Sequence, residues 1–131
     1  MSEMPSPITL TGESAPQDRQ CRLLSVLIPM LNEVKGIEGL VAKLQPALEA
    51  TGVPWEVVFI DDGSTDGTLG KLRHLHAADA RYKAISLSRN FGKEIATAAG
   101  LSYVSGDVAV IMDADLQHPP EMISEFLQHW R

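Results

Sequence analysis

Residues 55–68 read WEVVFIDDGSTDGT: a largely apolar run that stops abruptly at two aspartates and a turn-forming polar stretch. The run is too short for a typical helix and rich in β-branched and aromatic side chains, so it predicts a strand over 55–60 buried on both faces of a parallel sheet. The same pattern occurs upstream, where residues 23–30 (LLSVLIPM) lead into Leu31-Asn32-Glu33, and downstream, where 107–112 (DVAVIM) lead into Asp113. A weaker third strand is expected over 83–87 (KAISL).

Helical spacing fills the gaps between these strands. Ile37, Leu40, Val41, Leu44 and Leu48 fall on one face, with a kink or restart expected at Pro46. Leu69, Leu72 and Leu75 form a second stripe, for which Ser64, Thr65 or Asp66 are candidate caps. Residues 91–104 are helical in period and dense in small side chains (Ala96, Ala98, Ala99, Gly100), which let a helix lie close on a sheet. A last helix is expected over 119–131, with Met122, Ile123, Phe126, Leu127 and Trp130 apolar.

Four strand–helix alternations predict an α/β, Rossmann-like domain. Right-handed crossovers and a doubly wound arrangement give a parallel sheet ordered 3-2-1-4 with helices on both faces. That order sets the C-terminal ends of the first and fourth strands side by side, where such sheets bind ligands. Residues 1–21, rich in Pro, Ser, Thr, Glu and Gln, read as a flexible leader to a domain over 22–131. The final helical pattern runs to the last residue without a cap, so the domain reads as the N-terminal portion of a longer one.

Composition narrows the function classes. The chain has 131 residues, 44% of them apolar, enough for one core. It carries 11 Lys and Arg against 17 Asp and Glu, which argues against nucleic-acid binding. A bound divalent cation reverses the local sign, so an anionic small ligand stays open. The single cysteine, Cys21, permits no internal disulfide and is compatible with a reducing compartment. No run has the length of a membrane span, and the first residues lack the basic-then-apolar order of a signal peptide.

The polar residues gather at the strand ends. Alternation in an extended segment points Asp113, Asp115 and Gln117 to one side: two carboxylates and an amide oxygen, hard ligands suited to Mg2+ or Mn2+ that a substrate diphosphate would complete. A polar strand end with an aspartate capping the next helix is the alternative reading of so short a pattern. His118, between this cluster and two prolines, reads as a loop residue. Of Asp61 and Asp62, one can accept hydrogen bonds from a nucleobase or ribose and the other can cap the following helix. Glu33 is within reach of a ribose or base. Residues 29–33 lack the glycines of a dinucleotide-binding loop, which rules down a nicotinamide-dependent dehydrogenase. Arg89 and Lys93 put two positive charges near the same sheet edge, for a phosphate or for solvent.

Three stretches together, IPMLNE (28–33), IDDGSTDGT (60–68) and DADLQHPPE (113–121), resemble family 2 glycosyltransferases. SRNFGK (88–93) narrows the likeness to the branch holding dolichyl-phosphate mannosyltransferases and undecaprenyl-phosphate (bactoprenol) glucosyltransferases. The resemblance implies a GT-A fold and transfer of a hexose from UDP-glucose or GDP-mannose to a polyprenyl phosphate. Mapped onto this sequence, it makes Asp113 and Asp115 the carboxylates holding Mg2+ or Mn2+, with Gln117 as a third ligand and Asp115 as the catalytic position. It sets Asp61 against the base, Pro29, Leu31 and Glu33 along the nucleotide pocket, and Ala114 against the diphosphate or sugar. It also implies a parent protein on the cytoplasmic side of a membrane, with this portion soluble and inactive alone.

Two other classes compete. A phosphoacceptor receiver domain is also acidic, Mg2+-binding and α/β, but it needs its acidic pair after the first strand and an aspartate after the third. Here those strands end in PMLNE and SLSRN. An inactive binding module is the other.

Overall fold

The computed structural model describes the backbone of residues 8–11, 21–114 and 122–130. Along the chain run β1 (Ile8–Thr11), β2 (Leu24–Met30), α1 (Ile37–Glu49), β3 (Trp55–Asp61), α2 (Thr68–Ala78), β4 (Tyr82–Ser86), α3 (Lys93–Leu101), β5 (Val108–Ile111) and α4 (Met122–Trp130). The sheet order is β1-β5-β2-β3-β4. Its four parallel strands therefore lie in the order 3-2-1-4 expected from the alternation, with β2 as the first.

β2 and β3 sit at the centre. Every residue of β3 is buried, as are all of β2 except half-buried Pro29, which accounts for their near-continuous apolar character. On one face the core joins Leu24, Val26, Ile28, Val57 and Phe59 to Leu40, Leu44 and Leu48 of α1, Leu72 of α2, and Ile123 and Leu127 of α4. On the other, Leu27, Val58 and Ile60 pack against Ala96 of α3. The helices thus cover both faces.

The small residues of α3 do what their size suggests. A Cβ placed on Gly100 would stand 2.6 Å from Ile60 Cδ1 and 2.7 Å from Leu27 Cδ1. Any side chain there would force Ile60 and Leu27 to shift.

Two features refine these expectations. Helix α1 runs unbroken through Pro46, with no restart. Pro46 and Ala42, whose carbonyl loses its helical donor to the proline, are both exposed, which puts the interruption on the solvent side of the helix. Within the stretch expected to be a flexible leader, Ile8–Thr11 forms β1, antiparallel to β5 in the register Ile8↔Ile111 to Thr11↔Val108. The alternating Ile8-Thr9-Leu10-Thr11 pattern has good strand propensity, and β5 offers an otherwise open edge.

Below the strands, at their N-terminal side, a buried carboxylate ties three segments together. Glu56 accepts hydrogen bonds from Ser25 Oγ (2.6 Å), Lys83 Nζ (2.7 Å) and the Ser105 N–H (2.7 Å). Burial alone would raise this carboxyl's pKa, but the bonds from Lys83, Ser25 and Ser105 outweigh it and hold Glu56 below the usual glutamate value.

Candidate functional site

The parallel register decides which loops meet. Leu27 pairs with Ile111 in the β2–β5 ladder, and the Met112 N–H donates to the Leu27 carbonyl at 3.0 Å. On the other side Met30 pairs with Asp61, and the Asp62 N–H donates to the Met30 carbonyl at 2.9 Å. The residues after β2, β3 and β5 therefore emerge along one sheet edge.

There a cavity of about 530 Å3 is lined by Pro29, Met30, Leu31 and Glu33 after β2, Asp62 after β3, Asn90, Gly92 and Lys93 at the start of α3, and Asp113 and Ala114 after β5. The residues singled out from sequence as Pro29, Leu31, Glu33, Asp113 and Ala114 all reach it. Asp115 and Gln117 lie outside the described residues, as does His118. Among the described residues no group of three His, Cys, Asp or Glu side chains is placed to hold a metal ion.

Asp61 and Asp62 divide their work. Asp62 is 3% exposed and spends both oxygens on the loop before α3: Oδ1 accepts from the Phe91 N–H at 2.8 Å and Oδ2 from the Gly92 N–H at 3.0 Å. Gly63 permits this docking. Its φ is +78°, and a Cβ there would lie 2.5 Å from the backbone carbon of Arg89 and nitrogen of Asn90. Asp61 is 2% exposed and does not line the cavity, and its Oδ1 has no hydrogen-bond partner among the described residues. Such an orphaned buried oxygen is costly and rare away from functional sites.

The β2–α1 and β3–α2 loops are clasped to each other. Asn32, at φ +54°, donates its N–H to Ser64 Oγ (2.8 Å) and accepts the Thr65 N–H on Oδ1 (2.8 Å). The Glu33 N–H donates to Thr68 Oγ1 at 3.0 Å and the Val34 N–H to Asp66 Oδ2 at 3.3 Å. None of the three candidate caps is the N-cap of α2: that position is Gly67, with no side-chain cap bond, and Asp66 before it accepts the Thr68 N–H at 3.0 Å in a local turn. The Thr68 hydroxyl and the N–H groups of Val34 and Thr68 hold the Asp66 carboxyl below its usual pKa. Ser64 and Thr65 instead fix the loop that carries Leu31 and Glu33.

Asp113 is ion-paired to Lys93, which stands in the first turn of α3 with its side chain 61% exposed. Sequence reasoning left Lys93 between phosphate and solvent and did not place Asn90 or Gly92 at the site. The signal was present in SRNFGK, because a loop following the third parallel strand must open on the same edge as the other three.

An α/β sheet with a cavity at the C-terminal ends of its parallel strands defines a Rossmann-like class, and here Glu33, Asp62 and Asp113 are among the residues that line it. The sequence profile described as Glycosyl transferase family 2 matches residues 25–131, and the chain belongs to that family. It is 44% identical over 108 residues to an uncharacterized glycosyltransferase of Synechocystis sp., covering 82% of this chain and 34% of that protein. It is 42% identical over 101 residues to an undecaprenyl-phosphate 4-deoxy-4-formamido-L-arabinose transferase of Salmonella paratyphi B, covering 76% and 31%. The chain thus spans about a third of the length of these relatives.

Among solved structures, a mannosyltransferase of Pyrobaculum calidifontis in complex with GDP-Man and Mn2+ superposes with a TM-score of 0.59 at 27% identity, over 77% of this chain and 29% of that one. Glucosyl-3-phosphoglycerate synthase of Mycobacterium tuberculosis, in complex with Mn2+, UDP and glucosyl-3-phosphoglycerate, gives 0.53 at 29%, over 71% and 33%. The GT-A fold expected from the motifs is the one observed. The receiver-domain alternative falls with the family assignment. No helix among the described residues is long and apolar enough to cross a membrane.

Proposed function

We propose that this chain is the donor- and metal-binding portion of a glycosyltransferase that moves a hexose from a nucleotide sugar, UDP-glucose or GDP-mannose, to a polyprenyl phosphate. The observation that carries this reading is the convergence of Pro29, Leu31, Glu33, Asp113 and Ala114 on one cavity at the C-terminal ends of the parallel strands. GDP-Man, UDP and Mn2+ in the neighbours, and the undecaprenyl-phosphate acceptor in the name of one relative, support it.

In this reading Asp61 Oδ1 accepts an N–H of the base, and Glu33 faces the ribose. Pro29 and Leu31 form the apolar wall of the nucleotide pocket, and the Ala114 backbone lies against the diphosphate or sugar. Asp113, Asp115 and Gln117 would hold Mg2+ or Mn2+. The chemistry fits, since they are hard oxygen ligands and Asp113 already takes a cation, the Lys93 ammonium. The metal, when bound, stabilises the negative charge that develops on the departing nucleoside diphosphate.

The acceptor is already an anionic nucleophile and needs less general-base help than a hydroxyl would. We assign the catalytic role to Asp115. Turnover requires the acceptor-binding remainder of a longer protein on the cytoplasmic side of a membrane, and this chain alone is expected to bind without transferring. Calorimetry with UDP and GDP, each with and without Mn2+, tests the reading. Metal-dependent heat with one of the two is expected, and no heat with either would sink it.

A further inference from the structure

We infer that Lys93 is a resident counter-ion for Asp113, displaced when a divalent cation enters and then free to pair with the donor's diphosphate. The inference rests on the metal reading above. Its own observations concern Lys93. The lysine lines the same cavity as Asp113, and the two are ion-paired between the first turn of α3 and the residues that follow β5.

The asymmetry of the pair matters. Asp113 is largely enclosed, with its side chain 28% exposed, whereas the Lys93 side chain is 61% exposed on a long flexible stem. The ammonium is the freer of the two partners. The backbone beneath Lys93 is meanwhile fixed, because Asp62 holds the N–H groups of Phe91 and Gly92. Swinging the side chain therefore requires no loop movement.

A monovalent ammonium at Asp113 competes with a divalent ion for the same oxygens, and its charge repels that ion from nearby. A diphosphate adds negative charge within the cavity, offering the displaced lysine a new partner and favouring joint entry of metal and nucleotide. Lys93 is thus a positioning and gating residue. It lowers affinity for metal alone and raises affinity for nucleotide once metal is present.

The test measures Mn2+ binding to this chain by loss of the free-ion electron paramagnetic resonance signal, in wild type, Lys93→Gln, Lys93→Arg and Asp113→Asn. UDP and GDP binding is then measured at saturating Mn2+. Without nucleotide, Lys93→Gln should bind Mn2+ roughly five- to tenfold more tightly than wild type, while Lys93→Arg, which keeps the charge, stays near wild type. With Mn2+ present, Lys93→Gln should bind the preferred diphosphate about tenfold more weakly.

Equal or weaker Mn2+ binding by Lys93→Gln overturns the inference. If Asp113→Asn at the same time loses Mn2+, the metal site stands and only the role of Lys93 fails. If Asp113→Asn binds Mn2+ as wild type does, the metal reading fails with it.

Discussion

At adjacent positions Asp61 keeps one oxygen without a partner among the described residues, while Asp62 commits both of its oxygens to the Phe91 and Gly92 amides. The two substitutions should separate accordingly. Asp61→Ala removes a buried group that contributes no bond through Oδ1, so unfolding free energy should stay level or rise by up to about 2 kcal/mol, while nucleotide affinity drops tenfold or more. Denaturant titration and calorimetry on the same preparation check both halves. Asp62→Ala strands two amides and should cost about 2–4 kcal/mol, with hydrogen exchange accelerating at Phe91 and Gly92. The sequence made both aspartates conspicuous, and even named base contact and capping as the two duties. It did not reveal that the second duty serves the loop before α3 instead of α2, because that partner lies 29 residues away in the chain. Lys93 was obscured for the same reason: whether a loop lysine meets a phosphate, a carboxylate or water is decided by which loop lies opposite.

Elements were more legible than the contacts between them. Periodicity located β2, β3, β5 and all four helices within a few residues, since each buries a face whose pattern is fixed by backbone geometry. The errors came where context outweighs propensity. Pro46 is tolerated mid-helix because that side of α1 faces solvent, and Lys93 starts α3 two residues later than the apolar pattern suggests because Phe91 and Gly92 are held by Asp62. The small-residue stripe of α3 was read correctly, and its consequence is quantitative. Gly100→Ala drives a methyl into Ile60 and Leu27 and should cost about 1–3 kcal/mol despite alanine's better helix propensity. Gly63→Ala, which meets rigid backbone at a positive φ, should cost more, about 3 kcal/mol or above, and weaken nucleotide binding by dislodging the loop before α3. Thermal denaturation of the two variants side by side gives the order.

For the molecule as a whole, the strand order follows from alternation and handedness alone, whereas part of its acid tolerance comes from a buried node that composition conceals. Glu56 has its pKa depressed on folding by Lys83, Ser25 and Ser105 against the opposing effect of burial. Its contribution is therefore complete above the unfolded glutamate value near 4.3 and is lost as pH falls through the lower folded value. The stability gap between wild type and Glu56→Gln, followed by urea denaturation from pH 7 downwards, should be widest at neutral pH and narrow as the pH falls below the unfolded glutamate value. One last consequence belongs to β1. By lying antiparallel along β5 it occupies a row of main-chain donors and acceptors that would otherwise invite a foreign strand. A version of this protein beginning at Cys21 would leave that seam bare, and size-exclusion chromatography at rising concentration should show it growing into dimers and larger species while the complete chain elutes unchanged.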